Sequence, residues 1–123
     1  MNTEFPVDYR WARGNGIEKM IPWLFLDYSE GEFANRVYEK EKKEGLPVAT
    51  FARRQDCDDY AGFEVSDGKI TNTVVYFHPS FQSKGNEYLV YARYDDFWKF
   101  MTDVVIPDTK EWADEINFEH LDD

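Results

Sequence analysis

The sequence predicts a single α+β domain in which a strand and a helix precede several antiparallel strands and further helices follow them. Three observations predict it. Asp67-Gly68 separates a run with alternating apolar residues (Ala61, Phe63, Val65) from a β-branched and aromatic run ending at Phe77, which is the pattern of a tight hairpin. Phe97, Met101, Val104 and Val105 recur at i, i+4, i+7 and i+8, one face of a helix. The chain has 123 residues, 42% of them hydrophobic and 32% charged, with ten Phe, eight Tyr and four Trp, enough large apolar area for one core.

The elements follow in order. Residues 1–17 have no clean period and read as an irregular lead-in or a short helix. Residues 21–28 form a compact apolar run of strand length. Ser29 with Glu32 fits a capping box, in which hydroxyl and carboxylate satisfy the free amides of a helix start. Phe33, Val37 and Tyr38 then give that helix an apolar side, and Gly45 and Pro47 stop it. Residues 47–52 read as a strand, as do 59–65, 70–77 and, in unclear register, 87–94, with 80–86 a polar loop. Asp95 or Asp96 caps the next helix and Pro107 ends it. Asp108 with Glu111 repeats the capping pattern before a short last helix holding Trp112 and Ile116. Trp98 lies at the edge of the Phe97 face, where it closes the core or stands at its rim, with the core preferred.

Charge is unevenly spread. Residues 95–123 carry ten Asp and Glu against two Lys, within a chain of net charge −11. That balance disfavours nucleic acid and anionic membranes as direct ligands, because both need a basic footprint. The one cysteine, Cys57, cannot make an internal disulfide. No basic segment followed by an apolar run opens the chain, and no run approaches membrane-spanning length. The expectation is a reduced, cytoplasmic protein.

The chemical motifs point away from catalysis. Asp56-Cys57-Asp58-Asp59 is the densest acidic cluster in the middle of the chain, but Tyr60 and Ala61 stand where a calcium loop needs a ligand and a glycine. The aspartates read instead as turn formers with Arg53 and Arg54 beside them. His78 and His120 have no metal-ligand spacing with each other or with Cys57. Aspartates beside Cys57 disfavour its thiolate. No phosphate loop, nucleophile elbow or dinucleotide turn is present. No enzyme activity, metal or cofactor is expected.

Four segments in order carry a resemblance. They are Trp23-Leu24-Phe25-Leu26, Phe51-Ala52-Arg53-Arg54-Gln55-Asp56-Cys57-Asp58-Asp59-Tyr60-Ala61-Gly62-Phe63, Val74-Val75-Tyr76-Phe77-His78-Pro79, and Tyr94-Asp95-Asp96-Phe97-Trp98-Lys99-Phe100. Together they resemble the SUKH superfamily, the Smi/Knr-type group of bacterial proteins. The resemblance runs from about residue 21 to 105 within the single domain read over residues 1–123, and it implies a curved antiparallel sheet flanked by helices and a role as an immunity protein that binds and neutralises a toxin. The acidic composition suits a basic toxin domain, such as a nuclease, as the protein partner. The residues expected to meet it are Asp56, Asp58, Asp59, Asp95 and Asp96, with Trp98 as the aromatic anchor. Asp114, Glu115, Glu119, Asp122 and Asp123 are a second acidic surface. The alternative is a regulatory scaffold or small-ligand-binding module of the same fold.

Overall fold

The computed structural model describes residues 3–81 and 85–117, so Glu119, His120, Asp122 and Asp123 lie outside the described residues. Along the chain come helix α1 (Val7–Gly14), strands β1 (Lys19–Met20) and β2 (Trp23–Phe25), and helix α2 (Glu32–Glu41). Strands β3 (Val48–Arg54), β4 (Tyr60–Ser66), β5 (Lys69–Phe77) and β6 (Val90–Tyr94) follow, then helices α3 (Phe97–Phe100) and α4 (Ile106–Trp112). Among the described residues, six strands form one antiparallel sheet in the order β1-β2-β3-β4-β5-β6. The α+β class is the one the sequence predicts. No helix among the described residues is long and apolar enough to cross a membrane.

The Asp67-Gly68 hairpin joins β4 to β5 with φ of 52° and 74° at its two central residues, as a type I′ turn requires. Register shifts at Thr50/Ala52, Phe63/Val65 and Tyr76/Phe77 bend the sheet at three places. The last shift leaves Tyr91 as the extra residue of β6, because Tyr76 pairs with Ala92 and Phe77 with Val90.

Alternation along the strands divides the core in two. One face packs Trp23, Phe25, Phe51, Phe63 and Val74 against Tyr9 and Ala12 of α1 and against Phe97, Phe100, Met101 and Val105. The other packs Val48, Val75, Phe77 and Leu89 against Ala34 and Tyr38 of α2. Phe51 stacks on Phe63 at 4.2 Å, and Tyr9 meets Phe51 edge-on at 5.0 Å. The Tyr9 hydroxyl donates to Leu26 O at 2.7 Å and to Phe51 O at 3.1 Å. Burial pushes its acidity far down, with its pKa well above the usual tyrosine range.

The lead-in takes the short-helix reading, with Phe5, Tyr9 and Ala12 buried, and four other sequence expectations are corrected. Burying each aromatic contributes about 1.5–3 kcal/mol, enough to hold an eight-residue helix that is marginal alone. The strand in 21–28 shrinks to Trp23–Phe25, because Pro22 offers no amide to the ladder. The capping box is Asp27 with Glu30, not Ser29 with Glu32. Glu30 Oε1 accepts Asp27 N at 2.7 Å and opens a 3₁₀ turn, Tyr28–Gly31, that runs into α2.

The inward face of α2 is Ala34, Tyr38 and Glu41, while Phe33 is exposed. Gly31 fixes that rotation, since a Cβ there would lie 2.4 Å from Thr50 O. Pro107 does not end its helix. A π-helical turn, Met101–Val105, precedes α4, and another, Ala113–Asn117, follows it, so one helical rod runs from Phe97 to Asn117. The wider turn accommodates a residue that cannot donate an amide.

Candidate protein-binding surfaces

The turn between β3 and β4 is closed by Arg54 N donating to Asp59 O at 3.0 Å. The Arg54 guanidinium forks onto Asp56, with both contacts at 2.9 Å, and reaches Asp108 Oδ2 at 3.2 Å. The same Asp108 oxygen accepts the indole N–H of buried Trp23 at 2.9 Å. The Arg54 hydrogen bond holds the Asp56 carboxyl below the usual carboxylate range. Burial works against the charge on Arg54, but Asp56 and Asp108 outweigh it and keep the guanidinium protonated more firmly than usual.

Asp59 was expected at the partner surface and is instead inside, 8% exposed. The Tyr76 hydroxyl donates to its Oδ2 at 2.6 Å, and His78 Nδ1 lies 2.6 Å from its Oδ1. His78 stacks on Tyr91 at 5.8 Å, and Tyr91 meets Tyr76 edge-on at 5.0 Å. Asp59 therefore ties the start of β4 to the end of β5, and Tyr91 of β6 packs on the two rings it holds. A carboxylate at a sheet end needs such donors to be buried, but the sequence does not say which residues supply them. Asp58 is exposed, and its carboxylate has no hydrogen bond or ion pair among the described residues. Partial burial and the charges of Asp59 and Asp56 push the Cys57 thiol up, away from a reactive thiolate. Among the described residues no three His, Cys, Asp or Glu side chains converge as metal ligands.

The other expected residues stand at the opposite end of β6. That strand starts beside Phe77 and ends beside Val74, about 17 Å of extended chain for five residues. Asp95 follows it, exposed, its carboxylate without a partner among the described residues. Asp96 caps α3, its Oδ1 accepting Lys99 N at 2.8 Å. Trp98 is not in the core. It is 41% exposed and lies edge-on to Phe97 at 5.1 Å and to Trp11 at 6.2 Å. Phe97 takes the inward position under α1, and its neighbour one residue on is turned out. The six expected residues thus separate into Asp56 and Asp58 at one end, Asp95 and Trp98 at the other, Asp59 inside and Asp96 at a helix cap.

The rod brings Glu115, one residue of the second acidic surface, to the cleft that Asp56 lines. Arg54, Asp56, Asp108, Glu111, Trp112 and Glu115 line one cleft of about 270 Å³, with Asp114 exposed nearby in sequence. On the other face of the sheet, Lys19, Leu24 and Arg53 lie in one row across β1, β2 and β3. They belong to an open groove of about 570 Å³ that also takes in Arg13, Glu18, Asp27 and Glu30.

Two features went unread in the sequence. Glu41, 1% exposed, accepts Ser80 N, Ser80 Oγ, Phe81 N and Asn86 Nδ2 at 2.8–3.0 Å and so fixes the loop after β5. The i, i+4, i+7 spacing Ala34-Tyr38-Glu41 was the available signal. Trp11, 59% exposed, lies in the segment without a clean period, where no spacing marks its outward position. Comparison with protein-family models, with curated proteins and with solved structures finds no match in any of the three.

Proposed function

We propose that this chain is a non-catalytic immunity protein that binds a cognate toxin, a basic nuclease, and neutralises it by covering its active surface. The observation that carries the reading is the cleft where Asp56, Asp108, Glu111 and Glu115 face a single guanidinium, Arg54. The ordered resemblance to the SUKH superfamily supports the same reading. Carboxylates in that position take the basic side chains that would otherwise hold a phosphate backbone, and they steer the encounter between the two proteins.

The test is binding between this protein and the secreted or contact-delivered protein encoded beside its gene. Raising salt from about 0.05 to about 0.5 M shortens the screening length from over 10 Å to about 4 Å, so the association rate should fall steeply. Charge reversal at Glu111 and Glu115, exposed carboxylates that line the cleft, should slow association further. An association rate indifferent to both changes would sink charge steering. Absence of binding would leave the other reading, a small-ligand or scaffold module, which the open groove beside Lys19, Leu24 and Arg53 favours.

A further inference from the structure

Trp23 is completely buried, as an indole in a small domain is expected to be, whereas Trp11 and Trp98 stand out in solvent in edge-on contact at 6.2 Å. Val7 lies one turn before Trp11 on the same side of α1 and is 64% exposed. Together they make an apolar ridge across α1 and the start of α3. An exposed cluster of large apolar side chains is informative where a single one is not.

The charges around the ridge are unbalanced. Arg10 is engaged by Glu4 at 3.4 Å and by Phe5 O at 2.8 Å, and Lys99 by Asp103 at 3.2 Å. Asp8 and Asp95, which flank the two tryptophans in sequence, have carboxylates with no ion pair among the described residues. Exposed indoles with two unpaired carboxylates close in sequence suit a guanidinium, which stacks on the ring while its edge meets the acid.

We propose that the Trp11–Trp98 ridge is the anchor of the partner interface and that it takes an arginine-bearing segment of a basic protein. The proposal rests on the basic-partner reading and goes further, by separating two tasks. The acidic cleft steers the encounter, and the ridge holds the complex once formed, as buried Trp and Arg contacts do at interfaces.

The four tryptophans allow the test, because two stand on the ridge and two, Trp23 and Trp112, stand at the cleft. The probe is a short peptide of alternating Arg and Leu, followed by the four indole N–H resonances, with a Glu-Leu peptide as control. The expected result is saturable movement of the Trp11 and Trp98 signals with the Arg peptide alone. Trp11→Ala and Trp98→Ala, on separate helices, should each weaken binding at least tenfold, and Tyr88→Ala, removing an aromatic that is 80% exposed elsewhere, should change it less than twofold. The Trp23 resonance and the thermal midpoint check that each variant is folded. Movement confined to Trp23 and Trp112 would overturn the ridge proposal and leave the basic-partner reading standing. Equal binding of the Glu-Leu peptide would overturn the choice of an arginine-bearing occupant. No binding of the Arg peptide would overturn the ridge, and if the neighbouring gene product also failed to bind, the basic-partner reading would fall with it.

Discussion

Glu41 is a buried carboxylate whose role depends on four donors from one loop. Burial alone would raise its pKa, but the amides and hydroxyl of Ser80 and Phe81 and the amide of Asn86 outweigh that and hold it below its ordinary value of 4.5. A carboxyl with a lowered folded pKa contributes stability that is present above the unfolded value and is lost as pH falls through the folded one. Glu41→Gln places an NH₂ group against donors and should cost about 2 kcal/mol at neutral pH. The gap between variant and wild type should close as pH falls from about 5 toward about 3, read by denaturant unfolding at each pH. A gap constant across that range would show that the charge of Glu41 is not what its donors select. The spacing from Ala34 and Tyr38 marks Glu41 as inward, but a glutamate on a polar-looking helix end gives no sign of which loop will close over it. The same limit hid the partners of Asp59. Asp58 and Asp95 are exposed, as the expected partner surface requires.

At the scale of elements, periodicity served well where one face decides. The β4–β5 hairpin and the inward stripe Phe97, Met101, Val104 and Val105 stand as the spacing predicts. It failed where two overlapping patterns compete. Asp27 and Glu30 have the same spacing as Ser29 and Glu32, and the more polar acceptor took the cap. Phe33 outranks Ala34 in hydrophobicity, but the close approach of Gly31 to β3 decides which side of α2 faces the sheet. Adjacent acids differ in the same way at the start of α3. Asp96→Ala removes the acceptor of Lys99 N and should cost about 1 kcal/mol. Asp95→Ala should stay within about 0.5 kcal/mol, as surface changes without such a partner do. Equal costs, measured by thermal or denaturant unfolding, would remove the cap assignment.

Across the whole molecule, α4 differs from α1, α2 and α3, each of which buries apolar side chains. It buries no residue, and its ties to the sheet are polar. Asp108 joins Trp23 and Arg54, and Thr109 Oγ1 donates to Met20 O at 3.0 Å. Asp108→Ala should therefore release α4 while the sheet stays intact. Amide exchange should speed up over residues 106–112 and stay slow in β3, β4 and β5. Exchange accelerated throughout the sheet would mean instead that the rod is part of the cooperative core. The order of the strands also bears on how copies of the molecule meet. A sheet laid down in chain order leaves two outer strands, and open edges invite stacking between molecules. Here β1 has two residues, and β6 carries the extra residue Tyr91, which turns toward Tyr76. Growth from copy to copy, the first step toward a fibril, finds no long straight ladder at either edge.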